Sequence, residues 1–317
     1  MTKRALVLGI GGQDGSYLAG ILLEKGYEVH GLYRRSSVDN LRRIAHCRSR
    51  VTLHQGDMAD PISVERALLE AQPDEVYNMA DQDHVGFSLA TTAYSLDITA
   101  GAVGRTLETL RGLRRRTVRY FQPLSATMFG DAPPPQNEQT PFAPASPYAC
   151  AKVAAYYLCQ HYRREYGMHV STAIFFNHDS PRRGGDYLLQ RIAREEKLWG
   201  DLDTVVEVGY AREYMEAAHA ILQLDRPDDF VIGTGRGFRI RDLVEGEKAR
   251  WYYHKPSTGL IADASKAYTA FGFDPRHDAF SVLEMIRQNA GRCVQGRPEA
   301  GSETGRGPEG RPNSDNP

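Results

Sequence analysis

The sequence predicts an α/β protein built on a doubly wound parallel sheet, with a smaller C-terminal lobe. Three observations lead to this prediction. Short apolar runs rich in β-branched residues alternate with amphipathic helical stretches, a glycine-rich loop follows the first apolar run, and the alternation weakens beyond about Asn177. Strands that alternate with helices form parallel sheets covered by helices on both faces.

Six apolar runs are predicted to be the buried strands of this sheet. They are residues 5–9, 28–32, 51–54, 75–79, 119–122 and 170–176. The clearest helices between and after them cover residues 16–26, 99–113, 147–166 and 211–224. A further helix begins at Asp60-Pro61, because an aspartate cap followed by a first-turn proline is typical of a helix N-terminus.

The overall composition argues against several classes of partner. The chain has 317 residues, 41% of them hydrophobic, and a formal net charge of -1. This charge favours neither nucleic acid nor an anionic membrane surface as a partner. The apolar run near the N-terminus is too short for a signal peptide or a membrane span. The four cysteines, Cys47, Cys150, Cys159 and Cys293, show neither paired nor metal-ligand spacing, so we expect no metal site and a cytoplasmic protein.

The glycine-rich loop predicts a dinucleotide site. Gly9-Ile10-Gly11-Gly12-Gln13-Asp14-Gly15 follows the first predicted strand and opens the first helix. Glycines at positions 9, 12 and 15 permit a tight turn, let a pyrophosphate approach the backbone, and allow close packing of helix on strand. An ordinary glycine loop is the alternative, but the order strand, loop, helix favours the dinucleotide site.

The residues after the second and third strands indicate which dinucleotide. Arg34, Arg35 and Ser36 stand where a site selective for NAD would carry an acidic residue to bind the ribose 2′-hydroxyl. Arginine accommodates a 2′-phosphate, so we expect NADP, with solvated surface arginines as the alternative. Asp57, after the third strand, is placed to meet the adenine or to cap its own loop.

A tyrosine and a lysine four residues apart predict the chemistry. Tyr148 and Lys152 share one face of the predicted helix 147–166, and Ser125 follows the predicted strand 119–122. A free phenol has a pKa of about 10, and a cation one turn away is expected to lower the pKa of Tyr148. Tyr148 then exchanges a proton with a hydroxyl that Ser125 holds.

These motifs together resemble those of the extended short-chain dehydrogenases/reductases, which have a Rossmann fold, and most of all the GDP-mannose 4,6-dehydratases. The matching stretches are GIGGQDGSYLA from Gly9, GLYRRSS from Gly31, YNMADQDHV from Tyr77, SPYACAK from Ser146, FNHDSPRR from Phe176 and PDDFVIGTG from Pro227. The resemblance implies transfer of a hydride from the sugar's carbon 4 to NADP, followed by return of that hydride. It also implies a nucleotide-sugar substrate, with a GDP-sugar favoured, and a homodimer or homotetramer.

By matching position, the resemblance gives roles to individual residues. Tyr148 is the acid/base, Lys152 orients the cofactor and the phenol, and Ser125 binds the 4-hydroxyl. The cofactor set gains Gln13, Asp14, Met58 and Ala80, and the substrate set gains Asn177 and Arg182. A surface or interface role is the alternative for Arg182.

The sequence departs from the dehydratases at two positions that concern the reaction. Thr127 stands where those enzymes carry the glutamate that removes the carbon 5 proton, and a neutral hydroxyl is too weak a base for this task. The string Ser125-Ala126-Thr127 is similar instead to the loop of UDP-galactose 4-epimerases, which need no such base. Asp83 replaces a serine near the expected sugar position; it either supplies a relocated base, binds a sugar hydroxyl, or caps a loop.

Our first hypothesis is therefore an NADP-dependent nucleotide-sugar epimerase that works through a transient keto sugar. The alternatives are a dehydratase that uses Asp83 as its base, and a cofactor-binding protein that has lost catalysis. The predicted domains are an NADP-binding Rossmann domain over 1–176, a substrate-binding lobe over 177–295 from which some segments return to the first domain, and a disordered tail over 296–317. The lobe is shorter than in the dehydratases, between Arg194 and Glu213 and between Glu245 and Trp251.

Overall fold

The computed structural model describes residues 2–113, 117–198, 200–244 and 259–295. The predicted tail 296–317 and the second shortened segment, 245–251, lie outside the described residues. The strands are β1 (Arg4–Leu8), β2 (Glu28–Tyr33), β3 (Val51–Gln55), β4 (Glu75–Asn78), β5 (Arg119–Ser125), β6 (Val170–Phe175), β7 (His178–Asp179), β8 (Val205–Glu207), β9 (Gly209–Tyr210), β10 (Asp229–Ile232) and β11 (Gly237–Arg239). The α-helices are α1 (Gln13–Glu24), α2 (Pro61–Ala71), α3 (Val85–Ala90), α4 (Thr92–Leu96), α5 (Ala102–Gly112), α6 (Pro147–Tyr166), α7 (Leu188–Ala193), α8 (Ala211–Gln223), α9 (Ile240–Leu243), α10 (Ser265–Phe271) and α11 (Ala279–Gln295).

A seven-stranded parallel sheet forms the centre of the molecule and confirms the predicted fold class. Its order is β10-β6-β5-β4-β1-β2-β3, and every neighbouring pair is parallel. The chain leaves β1 toward β3, then returns to place β4 on the other side of β1. Parallel sheets of this kind bind ligands outside the carboxyl ends of the strands at such a switch point. A crevice is therefore expected above β1 and β4.

Each face of the sheet carries its own apolar core. One core joins α1, α8 and α10 to the sheet through side chains such as Leu18, Met215 and Ala267. The other joins α2, α5 and α6 through side chains such as Leu68, Leu107 and Ala155. Burial on both faces explains why β6 reads as a continuous run with all six residues buried.

Helix α6 has the predicted bounds because its ends carry strong signals. Ser146 caps its N-terminus by accepting a hydrogen bond from the Ala149 N–H at 3.1 Å, and Pro147 occupies the first turn. Gly167 ends the helix in the left-handed region at φ 62°. The predicted helix 99–113 is instead α5 preceded by a π-helical turn, Asp97–Gly101. The helix N-terminus brings Tyr148 to the crevice.

The described residues after 177 form the smaller lobe and also add a strand and a helix to the large sheet domain. A separate apolar cluster includes Leu189, Val208 and Leu283 and holds α7, β9 and α11 together. The chain nevertheless returns to the large sheet, because β10 pairs with β6 as its edge strand and α8 packs on α1. None of the helices in the described part of the chain is long and apolar enough to cross a membrane.

Candidate active site

A cavity of about 630 Å³ lies at the switch point, between the large sheet and the smaller lobe. The carboxyl ends of β4, β5 and β6, the N-terminus of α1 and the first turns of α6 surround it. The predicted residues that line it are Gly12, Gln13, Asp14, Asp83, Ser125, Thr127, Tyr148, Lys152 and Asn177. The cavity therefore brings the glycine loop together with the candidate catalytic residues.

The glycine loop turns tightly between β1 and α1. Gly9 has φ +78°, and a Cβ there would lie 2.7 Å from the Met79 carbonyl oxygen and 2.8 Å from the Ala80 Cα. A Cβ at Gly15 would lie 2.4 Å from the Gly9 carbonyl oxygen. Neither position tolerates a side chain, since real Cβ atoms do not approach backbone so closely. The loop thus packs against the end of β4, and Gly12, Gln13 and Asp14, at the start of α1, line the cavity.

This loop fits the phosphates of a dinucleotide. Gly12 caps α1, and Gly12, Gln13 and Asp14 line the cavity. The first turn of a helix leaves N–H groups without internal partners, and these groups and the helix dipole favour an anion. The residues of this loop therefore fit the dinucleotide that the sequence predicts as cofactor. Among the residues that the structure describes, no group of three or more His, Cys, Asp or Glu side chains is arranged to hold a metal ion.

Ser125, Tyr148 and Lys152 meet on one wall of the cavity. Ser125 ends β5, and both Ser125 and Tyr148 line the cavity. The Lys152 Nζ lies 5.6 Å from the centre of the Tyr148 ring and donates to the Pro123 carbonyl oxygen at 2.9 Å. A hydroxyl, a phenol and a fixed cation in this arrangement can move a proton to and from a substrate hydroxyl.

The pKa of Tyr148 moves in the direction opposite to the sequence-based expectation. Burial, with the charges of Asp81 and Asp83, raises it to about 12, although Lys152 and the Ser125 hydroxyl act to lower it. The expectation considered Lys152 alone. The desolvation of a phenol that is only 7% exposed, together with two nearby carboxylates, outweighs that one cation.

Asp81 belongs to the site, although the sequence analysis gave it no role. Its Oδ2 lies 2.5 Å from the Lys152 Nζ, and the Thr99 hydroxyl donates to its Oδ1 at 2.5 Å. Burial acts to lower the pKa of Lys152, but Asp81 holds that pKa above its usual range. The available signal was the first aspartate in Asp81-Gln82-Asp83, where only the second, Asp83, was predicted to have a role.

Asp83 also lines the cavity, but it pairs with an arginine and not with Lys152. Its Oδ2 lies 3.5 Å from the Arg183 Nη2, and 60% of its side chain is exposed. The Arg183 guanidinium also stacks on the Tyr187 ring at 3.5 Å. The cavity thus has one carboxylate tied to Lys152 and another that remains accessible.

Thr127 offers no carboxylate, and its own hydroxyl is engaged. The Thr127 Oγ1 donates to the Ser125 Oγ at 2.9 Å, and the Thr127 N–H faces the same oxygen at 3.3 Å. Both hydrogen bonds are accepted by the Ser125 Oγ and come from the 3-10 turn Ala126–Phe129, so the Ser125 O–H remains available as a donor. Thr127 therefore fixes the orientation of the Ser125 hydroxyl.

The other predicted cofactor residues lie at the carboxyl edge of the sheet, outside the cavity lining. Arg34, Arg35 and Ser36 follow β2 and are exposed; the Arg34 Nη1 donates to the Tyr94 hydroxyl at 3.3 Å. Asp57 accepts from the Ala59 N–H at 2.9 Å and so caps its own loop. Met58 follows Asp57 and is buried. Ala80 packs against Gly9 of the glycine loop.

The two predicted substrate residues of the FNHDSPRR stretch are placed differently. Asn177 lines the cavity, and its carbonyl oxygen accepts from the Gly209 N–H at 2.9 Å. Arg182 lies against α1, with its guanidinium 4.1 Å from the centre of the Tyr17 ring and 3.3 Å from the Ser16 hydroxyl. Arg183, its neighbour, lines the cavity instead.

Comparisons of the sequence point to one family. The profile of the family described as GDP-mannose 4,6 dehydratase matches residues 6–255. The chain is 40% identical over 320 residues to GDP-mannose 4,6 dehydratase 1 of Arabidopsis thaliana, covering 90% of this chain and 88% of that protein. It is 43% identical over 320 residues to GDP-mannose 4,6-dehydratase of Sinorhizobium fredii, covering 92% and 90%.

Solved structures with the same fold include both reaction types. A UDP-glucose 4-epimerase of Thermotoga maritima superimposes with a TM-score of 0.81 at 21% identity, covering 92% of this chain and 99% of that one. A dTDP-glucose 4,6-dehydratase of Streptomyces venezuelae, solved with NAD, superimposes with a TM-score of 0.78 at 20% identity, covering 91% and 98%. At these identities the likeness concerns the fold alone.

Proposed function

Because the chain belongs to the GDP-mannose 4,6 dehydratase family, we propose that it is a dehydratase acting on the hexose of a GDP-linked sugar, with NADP as cofactor. The observation that carries this proposal is the meeting of Ser125, Tyr148 and Lys152 with the glycine loop in one cavity. The sequence comparisons support this alternative better than the epimerase that we placed first. Bound in its oxidised form, the cofactor supplies a hydride acceptor.

In the proposed mechanism, three residues prepare carbon 4 of the sugar for oxidation. Ser125, whose oxygen accepts from Thr127, donates a hydrogen bond to the oxygen of the 4-hydroxyl. The ionised form of Tyr148 takes the proton of that hydroxyl as the hydride leaves, and carbon 4 then stays a ketone while the hydride returns to carbon 6. The proton that Tyr148 gains balances the one with which the departing 6-hydroxyl leaves as water. Lys152, fixed between Pro123 and Asp81, supplies a constant positive charge beside the phenol.

Elimination of water also needs a base for the carbon 5 proton, and we assign that task to Asp83. It lines the cavity, 60% of its side chain is exposed, and a carboxylate is the group that the reaction needs. Asp81 is unsuited because it is paired with Lys152 at 2.5 Å. Arg183, beside Asp83, is placed to hold the diphosphate, since its fork of donors matches paired oxygens.

A second candidate function is epimerisation at carbon 4 without elimination. One observation favours it: Thr127 stands beside Ser125 where the reaction would otherwise find a carboxylate, and its hydroxyl is bonded to Ser125. Oxidation, rotation of the keto sugar and return of the hydride to its other face need only Ser125, Tyr148 and Lys152.

Incubation with GDP-, UDP- and CDP-hexoses in heavy water, followed by NMR, separates the two functions. Dehydration places deuterium on carbon 5 and creates a 6-deoxy methyl group, whereas 4-epimerisation does neither. We expect the methyl signal with a GDP-hexose and its loss in Tyr148→Phe, which keeps NADP binding. A new stereoisomer without a methyl signal would overturn the dehydratase proposal, and no turnover of any sugar would favour a protein without catalysis.

The choice of NADP is tested by binding. We expect Arg34→Ala/Arg35→Ala to weaken NADP between about tenfold and a hundredfold while leaving NAD unchanged, since charge-assisted bonds to the 2′-phosphate are lost. Titration calorimetry with both dinucleotides measures this, with Arg48→Ala, an exposed arginine outside the site, as the matched control. Equal loss of affinity for both dinucleotides would contradict the assignment of NADP.

We also propose that the protein is a homodimer or homotetramer, and light scattering would measure its oligomeric state.

A further inference from the structure

A buried ion pair lies under the candidate proton-transfer residue, and its acidic member has no role in the mechanism above. We propose that Asp81 is a positioning residue that holds Lys152 in place and offsets its charge beside the Tyr148 phenol. The inference rests on the proposed function only in taking Tyr148 as the group that exchanges the proton.

The geometry of Asp81 is fixed from three directions. Its Oδ1 accepts from the Thr99 hydroxyl at 2.5 Å and from the Gln82 N–H at 2.8 Å, which leaves Oδ2 for Lys152 at 2.5 Å. Thr99 comes from the π-helical turn before α5 and is 2% exposed. Three separate segments therefore meet at this carboxylate, and only 13% of its side chain is exposed.

Lys152 is held on two sides as a result. Its Nζ contacts Asp81 at 2.5 Å and the Pro123 carbonyl oxygen at 2.9 Å, and only 4% of its side chain is exposed. An ammonium group has three donors, so one remains for a ligand in the cavity. Burial acts to lower the pKa of Lys152, and Asp81 acts to raise it. Asp81 thus favours the charged form of the lysine and fixes the position of its Nζ.

The same carboxylate acts on the phenol in the opposite sense to the lysine. Burial is the largest influence that raises the pKa of Tyr148, Lys152 lowers this pKa, and Asp81 raises it. The phenol thus faces an ion pair in place of a lone cation, and a pair of opposite charges stabilises a phenolate less than a cation alone.

Several other ionisable groups lie around the phenol. Asp83 also raises the pKa of Tyr148, and the Ser125 hydroxyl lowers it. Burial raises the pKa values of Tyr120 on β5 and Cys159 on α6, so both stay neutral. On the adjoining helices, Asp97 and Arg105 pair with each other at 2.7 Å. Asp81 is therefore the carboxylate in direct contact with the lysine.

The test is the ionisation of Tyr148 itself, which needs no turnover. Asp81→Asn keeps the shape of the side chain and removes its charge. Ultraviolet absorbance of phenolate is titrated in each protein and compared with that protein's own Tyr148→Phe counterpart, so that the other tyrosines cancel. We expect the Tyr148 signal in Asp81→Asn to appear at least about one pH unit lower than with Asp81 present.

Thr99→Val is the matched control, because it removes a hydrogen bond to Asp81 and leaves the charge. We expect it to move the Tyr148 signal much less than Asp81→Asn does. A folded Asp81→Asn protein with an unchanged signal would overturn the proposal and leave Asp81 a purely structural partner of Lys152. If Asp81→Asn does not fold, the titration of the parent protein still tests the proposal. A Tyr148 titration midpoint at or below the ordinary pKa of about 10 would contradict it. These readings stand whether or not any sugar is turned over.

Discussion

Two aspartates of one loop face the cavity in different ways. Asp81 is buried against Lys152, whereas Asp83 is mostly exposed and meets Arg183 at 3.5 Å. Burial and contacts thus divide the two carboxylates into one that fixes a cation and one that can accept a proton. The division matters because Thr127 leaves the usual position of the base without a carboxylate.

The assignment of Asp83 predicts a selective loss. Asp83→Asn should lower the rate of elimination by about 10²- to 10⁴-fold, since a positioned base contributes that much. Oxidation of carbon 4 should persist, because Ser125, Tyr148 and Lys152 are unchanged. Deuterium at carbon 5 measures the first step, and the absorbance of reduced cofactor measures the second. Asp186→Asn, an exposed carboxylate outside the cavity lining, is the control. An equal fall in the rates of elimination and of carbon 4 oxidation would show that Asp83 is not the base.

At the scale of elements, the N-terminal cap of helix α6 both stabilises the helix and positions Tyr148 in the cavity. Its cap, Ser146, stands two residues before Tyr148, so the cap fixes the turn that aims the phenol. The Tyr148 N–H also lies 3.3 Å from the Ser88 Oγ of α3. Fraying of the first turn would therefore move Tyr148 relative to Ser125.

Removal of this cap should affect both stability and activity. Ser146→Ala should lower the free energy of unfolding by about 1 kcal/mol, since the Ala149 N–H loses its partner. Turnover should fall as well. Asp278→Ala, which removes a similar bond to the Ser281 N–H at 3.1 Å beside α11, should cost a similar free energy and spare turnover. Denaturant melts and rate measurements on both variants test this; equal turnover in the two would show that the cap does not position Tyr148.

Elements were predictable from the sequence to the extent that local signals determine them. The six predicted strands are all present, and their bounds differ by at most three residues. Helix α6 was predicted at its observed bounds because a serine, a proline and a glycine mark its ends. Strand β10 was not predicted, since its place in the sheet depends on pairing with β6, which no local pattern records.

The site was predictable where residue types alone define it. Ser125, Tyr148, Lys152 and the glycine loop could be named because each carries a motif. Asp81 could not be given a role, because its effect depends on a 2.5 Å contact with a lysine that lies far along the chain. The upward shift of the Tyr148 pKa was missed for the same reason, since burial is a property of the folded molecule.

At the scale of the whole molecule, one ion pair joins the last strand of the sheet to α6. The Asp229 carboxylate of β10 contacts the Arg163 guanidinium at 2.5 Å and accepts from the Thr172 hydroxyl at 2.7 Å. Burial acts to raise the pKa of Asp229, but Arg163 and Thr172 hold it below its usual range. The side chains are 11% and 19% exposed for Asp229 and Arg163.

This pair predicts a contribution to stability that acid removes. Because the pKa of Asp229 is lower in the folded state, its contribution is complete above the unfolded value of about 3.9 and is lost as the pH falls below it. Asp229→Ala should lower the free energy of unfolding at pH 7 by about 3 to 5 kcal/mol, as it leaves a partly buried arginine unpaired. Unfolding of the variant and the parent at pH 7 and near pH 3 tests this. A difference that does not shrink in acid would exclude the ion pair as the cause.

The return of β10 to the sheet also bears on how the protein is made. Strand β6 ends at Phe175, but its edge partner begins only at Asp229, after the first segments of the smaller lobe. At synthesis rates of roughly 5 to 20 residues per second, the nascent chain waits several seconds with that edge open. An apolar strand with bare backbone groups can recruit another chain during this interval. We therefore expect the yield of native protein to depend on chaperones that shield the β6 edge until the ribosome has released β10.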